Sequence, residues 1–155
     1  MRPDRNVRSD EDLHMNGALV FDFVIREVPP MIRRTLETAG WTPEEVDVYF
    51  LHQANRYMLD YLVKRMRLLP AKVPYSLEML GNTSSVTIPL TMAVHYENRL
   101  WPKSEKCVMA GYGVGLSWAS ATCELDGLRV APLLVVHNAE EAVQPLALPR
   151  ETVIS

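Results

Sequence analysis

His52 stands where a predicted strand gives way to a predicted helix. The run 46–51 is apolar and rich in strand-forming residues, and helical spacing of apolar residues follows it. Ligands commonly bind at this edge of an α/β sheet, because the loops there converge on one point. A histidine can supply a hydrogen-bond donor or a base near neutral pH. Taken alone, the position is explained equally well by a histidine that satisfies a hydrogen bond at the strand end.

Two further turns offer polar groups that could carry chemistry. Asn82 lies in a Gly-Asn-Thr-Ser turn before a predicted helix, although turn preference and the capping tendency of Ser84 explain that segment better on their own. Gly113 and Gly115 flank Val114 between two predicted strands, where backbone N–H groups could approach a ligand oxygen. An ordinary hairpin loop is the simpler explanation of those glycines alone. No Gly-Lys-Ser/Thr follows them, which excludes a phosphate-binding P-loop.

The two cysteines, Cys107 and Cys123, are weak candidates for a nucleophile. A reactive thiol needs a helix N-terminus or a cationic neighbour to lower its pKa, whereas both cysteines fall in apolar predicted strands. They are too few for a disulfide framework and lack the spacing of metal ligands, so no metal site is predicted. Low cysteine content without a disulfide pattern favours a reducing, cytoplasmic location.

The elements that must position these residues follow from the apolar periodicity. A helical stripe over 20–39 contains Pro29 and Pro30, which predict a kink or two abutting helices, and Gly40 is a natural stop. The other predicted elements are a strand over 46–51, a helix over 55–68, a helix over 84–100, strands over 106–110 and 116–125, and one more possible strand over 128–136. This order predicts an α/β domain with a mixed sheet covered by helices.

Composition excludes several classes of protein. The chain has 155 residues, of which 48% are hydrophobic and 23% charged, as expected for one globular domain. A net charge of -3 provides no basic field for nucleic acid. No apolar run reaches the ~18 residues of a membrane span, and the charged N-terminus lacks the apolar region of a secretory signal. We therefore expect neither a nucleic-acid nor a membrane partner.

Four motifs, taken in order, resemble the second half of β-ketoacyl-acyl-carrier-protein synthase III. They are Met15-Asn16-Gly17 with the following Val-Phe-Asp-Phe, His52-Gln53-Ala54-Asn55, Gly81-Asn82-Thr83-Ser84, and the glycine hairpin over 111–118. The resemblance covers residues 13–125 and predicts a domain there. Residues 1–12 would be a leader or a remnant of a linker, and residues 126–155 a C-terminal extension.

That family has the thiolase fold. The resemblance therefore implies an α/β, thiolase-like αβαβα half with a mixed five-stranded sheet covered by helices. The nucleophilic cysteine of the family belongs to the N-terminal half, whereas this chain resembles the C-terminal half only. We expect the chain to be inactive in condensation by itself, because it lacks the Cys-bearing N-terminal half. Its partner would be that missing half or, in its absence, further copies of the same chain in a homo-oligomer.

The resemblance also implies a reaction, which is decarboxylative Claisen condensation of acyl-CoA with malonyl-acyl-carrier protein in fatty acid or polyketide biosynthesis. The family uses these two substrates without a bound cofactor. His52 and Asn82 would donate hydrogen bonds to the thioester oxygen that becomes negative when CO2 leaves. The backbone of Gly113 and Val114 would supply part of a second oxyanion hole.

The same resemblance implies two sets of binding residues. The residues near the pantetheine arm would be Met15, Gly17, Phe21 and Asn55, and those that dock the acyl carrier protein would be Lys64 and Arg65. An ordinary solvated helix face is the alternative for the last two. One position departs from the family. The family commonly has Leu-Arg after the asparagine, whereas here Asn55 is followed by Arg56 and then Tyr57, so the arginine comes one residue early. A shift of one residue turns the charge by about 100° around a helix.

Two other functions fit the same residues. One is an acyltransferase of specialised metabolism on the same fold, in which His52 would act as a general base. The other is a non-catalytic half-domain that binds carrier protein or a sister chain. Dependence on a malonyl thioester separates the first alternative from condensation. Binding that survives loss of His52 would indicate the second.

Overall fold

The computed structural model describes residues 15–97, 104–127, 130–135 and 144–145. The helices are α1 (Gly17–Ala39), α2 (Arg56–Met66), α3 (Leu77–Leu80) and α4 (Thr87–Tyr96). The strands are β1 (Val48–Leu51), β2 (Glu105–Gly113), β3 (Ser117–Leu125), β4 (Leu134–Val135) and β5 (Gln144–Pro145). Single turns of 3-10 helix lie at Pro43–Glu45, Pro70–Lys72 and Ser84–Val86. The predicted leader, 1–12, lies outside the described residues, as does most of the predicted extension.

Helix α1 is one continuous element, although it contains Pro29 and Pro30. The side chain of Asn16 caps it by accepting a hydrogen bond from the backbone N–H of Leu19 at 3.2 Å. Gly40 ends it with φ of 69°, a left-handed conformation that suits glycine. Of the two predicted outcomes, two abutting helices are therefore wrong, and a kink stays a prediction. Tertiary packing contributes most of a helix's stability, and the buried stripe of α1 outweighs the hydrogen bonds that the prolines cannot make.

The central sheet has the strand order β1-β2-β3. Strand β1 runs parallel to β2, with Leu51 opposite Ala110, and β2 runs antiparallel to β3, with Cys107 opposite Cys123. The predicted mixed sheet is confirmed. The expected five strands are not found, because the described residues form only three in this sheet. Of the possible strand over 128–136, only Leu134–Val135 is a described strand, and it pairs with β5 in a separate ribbon.

Strand β1 is buried on both faces, which explains why its sequence is a continuous apolar run. Tyr49 and Leu51 join the larger core cluster with α1 and α2. Val48 and Phe50 point to the opposite face and join a smaller cluster that includes Tyr96 of α4. The strand begins at Val48, two residues later than predicted, and ends at Leu51 as predicted. Helices thus cover both faces of the strand that leads to His52.

The helix predicted over 84–100 begins as the 3-10 turn Ser84–Val86 and continues as α4 to Tyr96. The helix ends at Tyr96, with Glu97 as its C-cap, and the rest of the predicted helix, 98–100, lies outside the described residues. Helix α2 begins one residue after Asn55 and ends at Met66, close to its prediction. Among the described helices, none combines the length and the apolar character that crossing a membrane requires.

Candidate active site

His52 lies at the edge of the sheet where β1 and β2 both end. Its backbone N–H donates to the carbonyl of Ala110 at 2.9 Å, one residue beyond the last β1–β2 pair. Its own carbonyl accepts a hydrogen bond from the Tyr112 hydroxyl at 3.0 Å. The rings of His52 and Tyr112 meet edge to face, with centroids 5.3 Å apart. Backbone bonds and this aromatic neighbour therefore restrict the half-buried imidazole to one region of the edge.

The Nδ1 atom of His52 lies 2.6 Å from the hydroxyl oxygen of Thr87, the first residue of α4. Nε2 has no hydrogen-bond partner among the described residues, so it is the ring nitrogen that remains for a substrate. Burial lowers the pKa of His52 below its ordinary value. The ring is therefore a neutral imidazole at neutral pH, with one nitrogen protonated.

We predict that His52 titrates below the ordinary histidine pKa of 6.5. As pH falls, the unfolded chain binds this proton first, so the contribution of His52 to stability becomes unfavourable below about pH 6.5 and is absent above it. An NMR titration of the His52 ring protons measures the pKa. Urea unfolding from about pH 5 to about pH 8, compared with His52→Gln, isolates this histidine from the others. A pKa at or above the ordinary value would contradict the prediction.

Asn82 is held in one amide orientation by two hydrogen bonds. Its Oδ1 accepts from the backbone N–H of Ser84 at 2.9 Å, and its Nδ2 donates to the carbonyl of Ala54 at 3.2 Å. Only this orientation places an acceptor opposite the N–H and a donor opposite the carbonyl. Since Nδ2 carries two hydrogens, one N–H remains available at the exposed side chain. Ala54 follows His52 by two residues, so this bond joins the histidine and asparagine motifs directly.

Gly81 lets the chain turn into Asn82. Its φ of 67° and ψ of -164° lie in a region of backbone space that glycine alone adopts readily. The turn signal predicted at this position is confirmed. Any other residue at position 81 would strain the backbone that aims the asparagine.

The glycine hairpin ends at the same edge of the sheet. Gly113 is the last residue of β2, and Val114 begins the turn to β3 with 69% of its surface exposed. The carbonyl of Val114 accepts a hydrogen bond from the Ser117 hydroxyl at 2.9 Å, which braces the turn. Because β1 and β2 run parallel, their carboxyl ends bring the hairpin beside the His52 loop. The structure thus brings His52, Asn82 and the hairpin to one edge.

The predicted pantetheine-arm residues gather at the N-terminal ends of α1 and α2. Phe21 packs on Tyr57 and Tyr61, with ring centroids 5.4 Å and 5.3 Å away. The side chain of Asn55 caps α2 by accepting from the backbone N–H of Met58 at 2.8 Å. The cap occupies Oδ1 of Asn55, and within the described part of the chain its amide N–H groups bond no other residue. The other two members, Met15 and Gly17, are exposed at the start of α1.

The two predicted docking residues, Lys64 and Arg65, are exposed on the last turn of α2. Arg65 also lines a cleft of about 510 Å³ between α1 and α2, together with Arg26 and Arg33. Neither Arg33 nor Arg65 has an ion-pair partner within the described residues. Glu27 lines the same cleft and Arg26 pairs with Asp22 at 3.4 Å, so the excess of positive charge on this face comes from Arg33 and Arg65.

Arg56, the displaced arginine of the motif, is committed to neighbours on the surface. It pairs with Asp60 at 3.0 Å and with Glu78, and its guanidinium lies 4.4 Å from the centre of the Tyr75 ring. These contacts direct the charge along α2 and toward α3. The exposed first-turn position next to it is occupied by Tyr57, which is uncharged.

Cys107 of β2 lies opposite Cys123 of β3, and both are free thiols. Cys107 is buried. Burial, with a smaller effect from Cys123, raises the pKa of Cys107 far above its ordinary value. Cys107 is therefore a neutral thiol at neutral pH. Because the thiolate is the nucleophilic form, we expect Cys107 not to act as a nucleophile. Within the described ranges, no group of three His, Cys, Asp or Glu side chains could hold a metal ion.

Sequence reasoning missed Thr87, which contacts the His52 ring, and Tyr112, whose hydroxyl donates to the His52 carbonyl. The available signal for Thr87 was its spacing from Thr91. Two threonines four residues apart lie on one face of a helix, and here that face is buried. Buried hydroxyl groups need partners, so such a pair indicates a polar network below the surface.

Comparison with known proteins connects this geometry to a family. Residues 36–125 match the family described as 3-Oxoacyl-[acyl-carrier-protein (ACP)] synthase III C terminal. That match covers more than half of the chain and contains His52, Asn82 and the glycine hairpin. The chain belongs to the synthase III C-terminal family.

Individual synthase III relatives agree with this assignment. The chain is 38% identical over 116 residues to beta-ketoacyl-[acyl-carrier-protein] synthase III of Lactococcus lactis subsp. lactis (strain IL1403), covering 74% of this chain and 36% of that protein. It is 38% identical over 104 residues to the same-named protein of Gloeobacter violaceus, covering 67% of this chain and 32% of that protein. The chain therefore spans only the C-terminal part of the curated relatives that it matches.

A solved structure supports the thiolase-like fold. The crystal structure of 3-oxoacyl-(acyl-carrier protein) synthase from Burkholderia xenovorans LB400 superposes with a TM-score of 0.75 at 38% identity, covering 79% of this chain and 35% of that one. The predicted resemblance to synthase III and the predicted thiolase-like α/β fold are both confirmed.

Proposed function

We propose that this synthase III C-terminal domain supplies the two hydrogen-bond donors for decarboxylation in a condensing enzyme. The observation that carries the proposal is the meeting of His52 and Asn82 at one sheet edge. Each side chain is held by contacts of its own and keeps one polar group free. Donors that are fixed before reaction stabilise developing charge without a cost of reorganisation.

In the proposed reaction, a malonyl thioester binds at this edge and its carbon–carbon bond to the carboxylate breaks. CO2 leaves, and the electron pair moves onto the thioester oxygen as an enolate. Nε2–H of His52 and Nδ2–H of Asn82 donate to that oxygen. The enolate carbon then attacks an acyl thioester on a cysteine of the N-terminal half, and the cysteine thiolate is released.

The glycine hairpin would serve the second step. Attack on the acyl thioester places negative charge on the acyl oxygen. Backbone N–H groups at Gly113 and Val114 would stabilise it, together with the N–H of the acylated cysteine. A backbone donor suits this position, because the exposed hairpin can approach a ligand without an intervening side chain at the glycine.

The proposed reaction requires a second half, because both cysteines of this chain lie in the sheet and neither lies at the start of a described helix. Large apolar side chains are exposed on and around the hairpin at the site edge, namely Val114, Leu116 and Trp118. Exposed apolar surface next to a polar site favours association. We infer that this surface meets the Cys-bearing N-terminal half, and that the isolated chain associates with itself in its absence.

The substrates in this proposal are acyl-CoA and malonyl-acyl-carrier protein, in fatty acid or polyketide biosynthesis, and no bound cofactor takes part. Phe21 and Asn55, with the exposed start of α1, would contact the pantetheine arm. Lys64 and Arg65 would dock the carrier protein, whose acidic surface complements a basic helix face. The unpaired Arg33 and Arg65 along the adjoining cleft support that charge complementarity.

Reconstitution tests the proposal. We expect a mixture of this chain with the N-terminal half of the Burkholderia xenovorans relative to condense acyl-CoA with malonyl-carrier protein, whereas neither half does so alone. Radiolabelled acyl transfer to the malonyl-derived product measures it. Fusion of the two halves in one chain covers the case in which they do not associate. If the folded fusion transfers no acyl group, the proposal is wrong.

Two further arms of that assay separate the alternatives. Product formation from an alcohol or amine acceptor without a malonyl thioester would indicate an acyltransferase with His52 as a general base.

The charge-reversed variant Lys64→Glu/Arg65→Glu should raise KM for malonyl-carrier protein and leave turnover of malonyl-CoA unchanged. An equal effect on both substrates would contradict docking at this helix face.

A further inference from the structure

The described residues bury four uncharged polar side chains almost completely. They are Gln53, Ser76, Thr87 and Thr91. All four belong to one chain of hydrogen bonds beneath His52, drawn from the His52 loop, the segment before α3 and helix α4. Isolated buried polar groups cost free energy, but a fully bonded set can hold several segments in one arrangement.

The chain of bonds begins and ends at the carboxyl end of β1. Gln53 donates from Nε2 to the Leu51 carbonyl at 2.8 Å and accepts from the Ser76 N–H at 3.2 Å. The hydroxyl oxygens of Ser76 and Thr91 are 2.7 Å apart, and Thr91 donates to the Thr87 carbonyl at 2.7 Å. The Thr87 hydroxyl then reaches Nδ1 of His52 at 2.6 Å. The network therefore runs from Gln53 through the other three side chains and returns to His52, the residue before Gln53 in the chain.

The single hydroxyl hydrogen of Thr87 has two possible acceptors. Nδ1 of His52 is 2.6 Å from Oγ1, and the Ser84 carbonyl is 3.1 Å from it. The Ser84 carbonyl already accepts the backbone N–H of Thr87. The shorter contact to an otherwise unbonded ring nitrogen is the better use of the hydrogen. Donation to Nδ1 requires that nitrogen to be unprotonated, which leaves the ring proton on Nε2.

We propose that Thr87 is a positioning residue that donates its hydroxyl hydrogen to Nδ1 of His52 and so keeps the imidazole proton on Nε2. Thr87 acts through His52 and does not touch the substrate. The tautomer is a property of this chain alone, whereas its catalytic consequence rests on the proposed function. With the opposite tautomer, Nε2 would be an acceptor, and the site would suit a general base instead of a donor.

NMR of the ¹⁵N-labelled chain measures the tautomer directly from the two ring-nitrogen shifts, with His52→Gln used to assign the signals. We expect a protonated Nε2 in the wild-type chain and in Thr87→Ser, which keeps a hydroxyl. Thr87→Val should lose this preference and show a mixed or reversed tautomer. Thr91→Val is the matched control, because it removes an equally buried hydroxyl from the same helix without touching the ring.

A wild-type ring protonated on Nδ1, or a Thr87→Val ring unchanged from wild type, would overturn the proposal. If Thr87→Val does not fold, the wild-type tautomer and the comparison with Thr87→Ser decide the question.

In the fused enzyme, kcat should fall in Thr87→Val by about 10- to 100-fold, the range for partners that orient metal-bound histidines. KM should change little, and Thr87→Ser should recover most of kcat. Loss of all condensation in the wild-type fusion, with the tautomer as expected, would count against the proposed function alone.

Discussion

Asn82→Asp, introduced into this chain within the fused enzyme, should lower kcat for condensation by about 10²- to 10³-fold, the loss typical of one oxyanion donor. Aspartate has nearly the shape of asparagine and can still accept the Ser84 N–H that braces the turn. It cannot donate to the enolate oxygen. Because the side chain is exposed, the carboxylate is ionised at neutral pH and adds repulsion where negative charge develops. Steady-state kinetics with malonyl-carrier protein measures kcat.

The first half-reaction is the internal control for this variant. Acylation of the N-terminal half's cysteine by acyl-CoA does not involve the enolate, so Asn82→Asp should leave its rate unchanged. His52→Ala should behave like Asn82→Asp in both steps. The double variant should lose less than the product of the two single effects, since both groups act on the same oxygen. Condensation by Asn82→Asp at the wild-type rate would remove Asn82 from the mechanism.

Gln53→Ala should lower the free energy of unfolding by about 2–6 kcal/mol, because it leaves two buried backbone groups without partners at about 1–3 kcal/mol each. Those groups are the Leu51 carbonyl and the Ser76 N–H, which the fully buried side chain now joins. The loss would also loosen the segment leading to Asn82, since Ser76 stands five residues before Gly81. Urea denaturation followed by circular dichroism measures the change.

Asn16→Ala provides the contrast for Gln53→Ala. Asn16 also bonds a backbone N–H, but it is exposed at the start of α1, so its loss should cost only about 1 kcal/mol. Water can replace the lost partner at Asn16 and cannot do so at Gln53. Equal destabilisation by the two substitutions would show that burial of the amide does not matter.

Most of the element order was predictable from apolar periodicity. The apolar run 46–51 predicted a buried strand, and the spacing after Asn55 predicted α2 almost to its last residue. These predictions succeed because the patterns are local and strong. At Pro29 and Pro30 the sequence predicted a kink or two abutting helices, and the second outcome is wrong for the opposite reason. Local propensity argues for a break there, but burial of Val28 and Ile32 against the sheet keeps the helix continuous.

The members of the site were also largely predictable, but their orientation was not. The order of the four motifs identified the family, and with it His52 and Asn82. No pattern in the sequence indicates that the Nδ2 of Asn82 bonds the Ala54 carbonyl, or that Arg56 turns toward Glu78. Such contacts join residues that are far apart along the chain, and they depend on how α2, α3 and the turn at Gly81 pack together.

The sequence by itself determined the family, the α/β architecture and the two residues proposed to carry the chemistry, because each depends on residue types in a local order. Only the tertiary structure decided what those residues can do. It placed Thr87 of α4 against His52, which follows β1 and lies 35 residues earlier in the chain, and closed the buried network through Gln53. The tautomer of a histidine depends on which partner meets each ring nitrogen, and packing alone selects that partner.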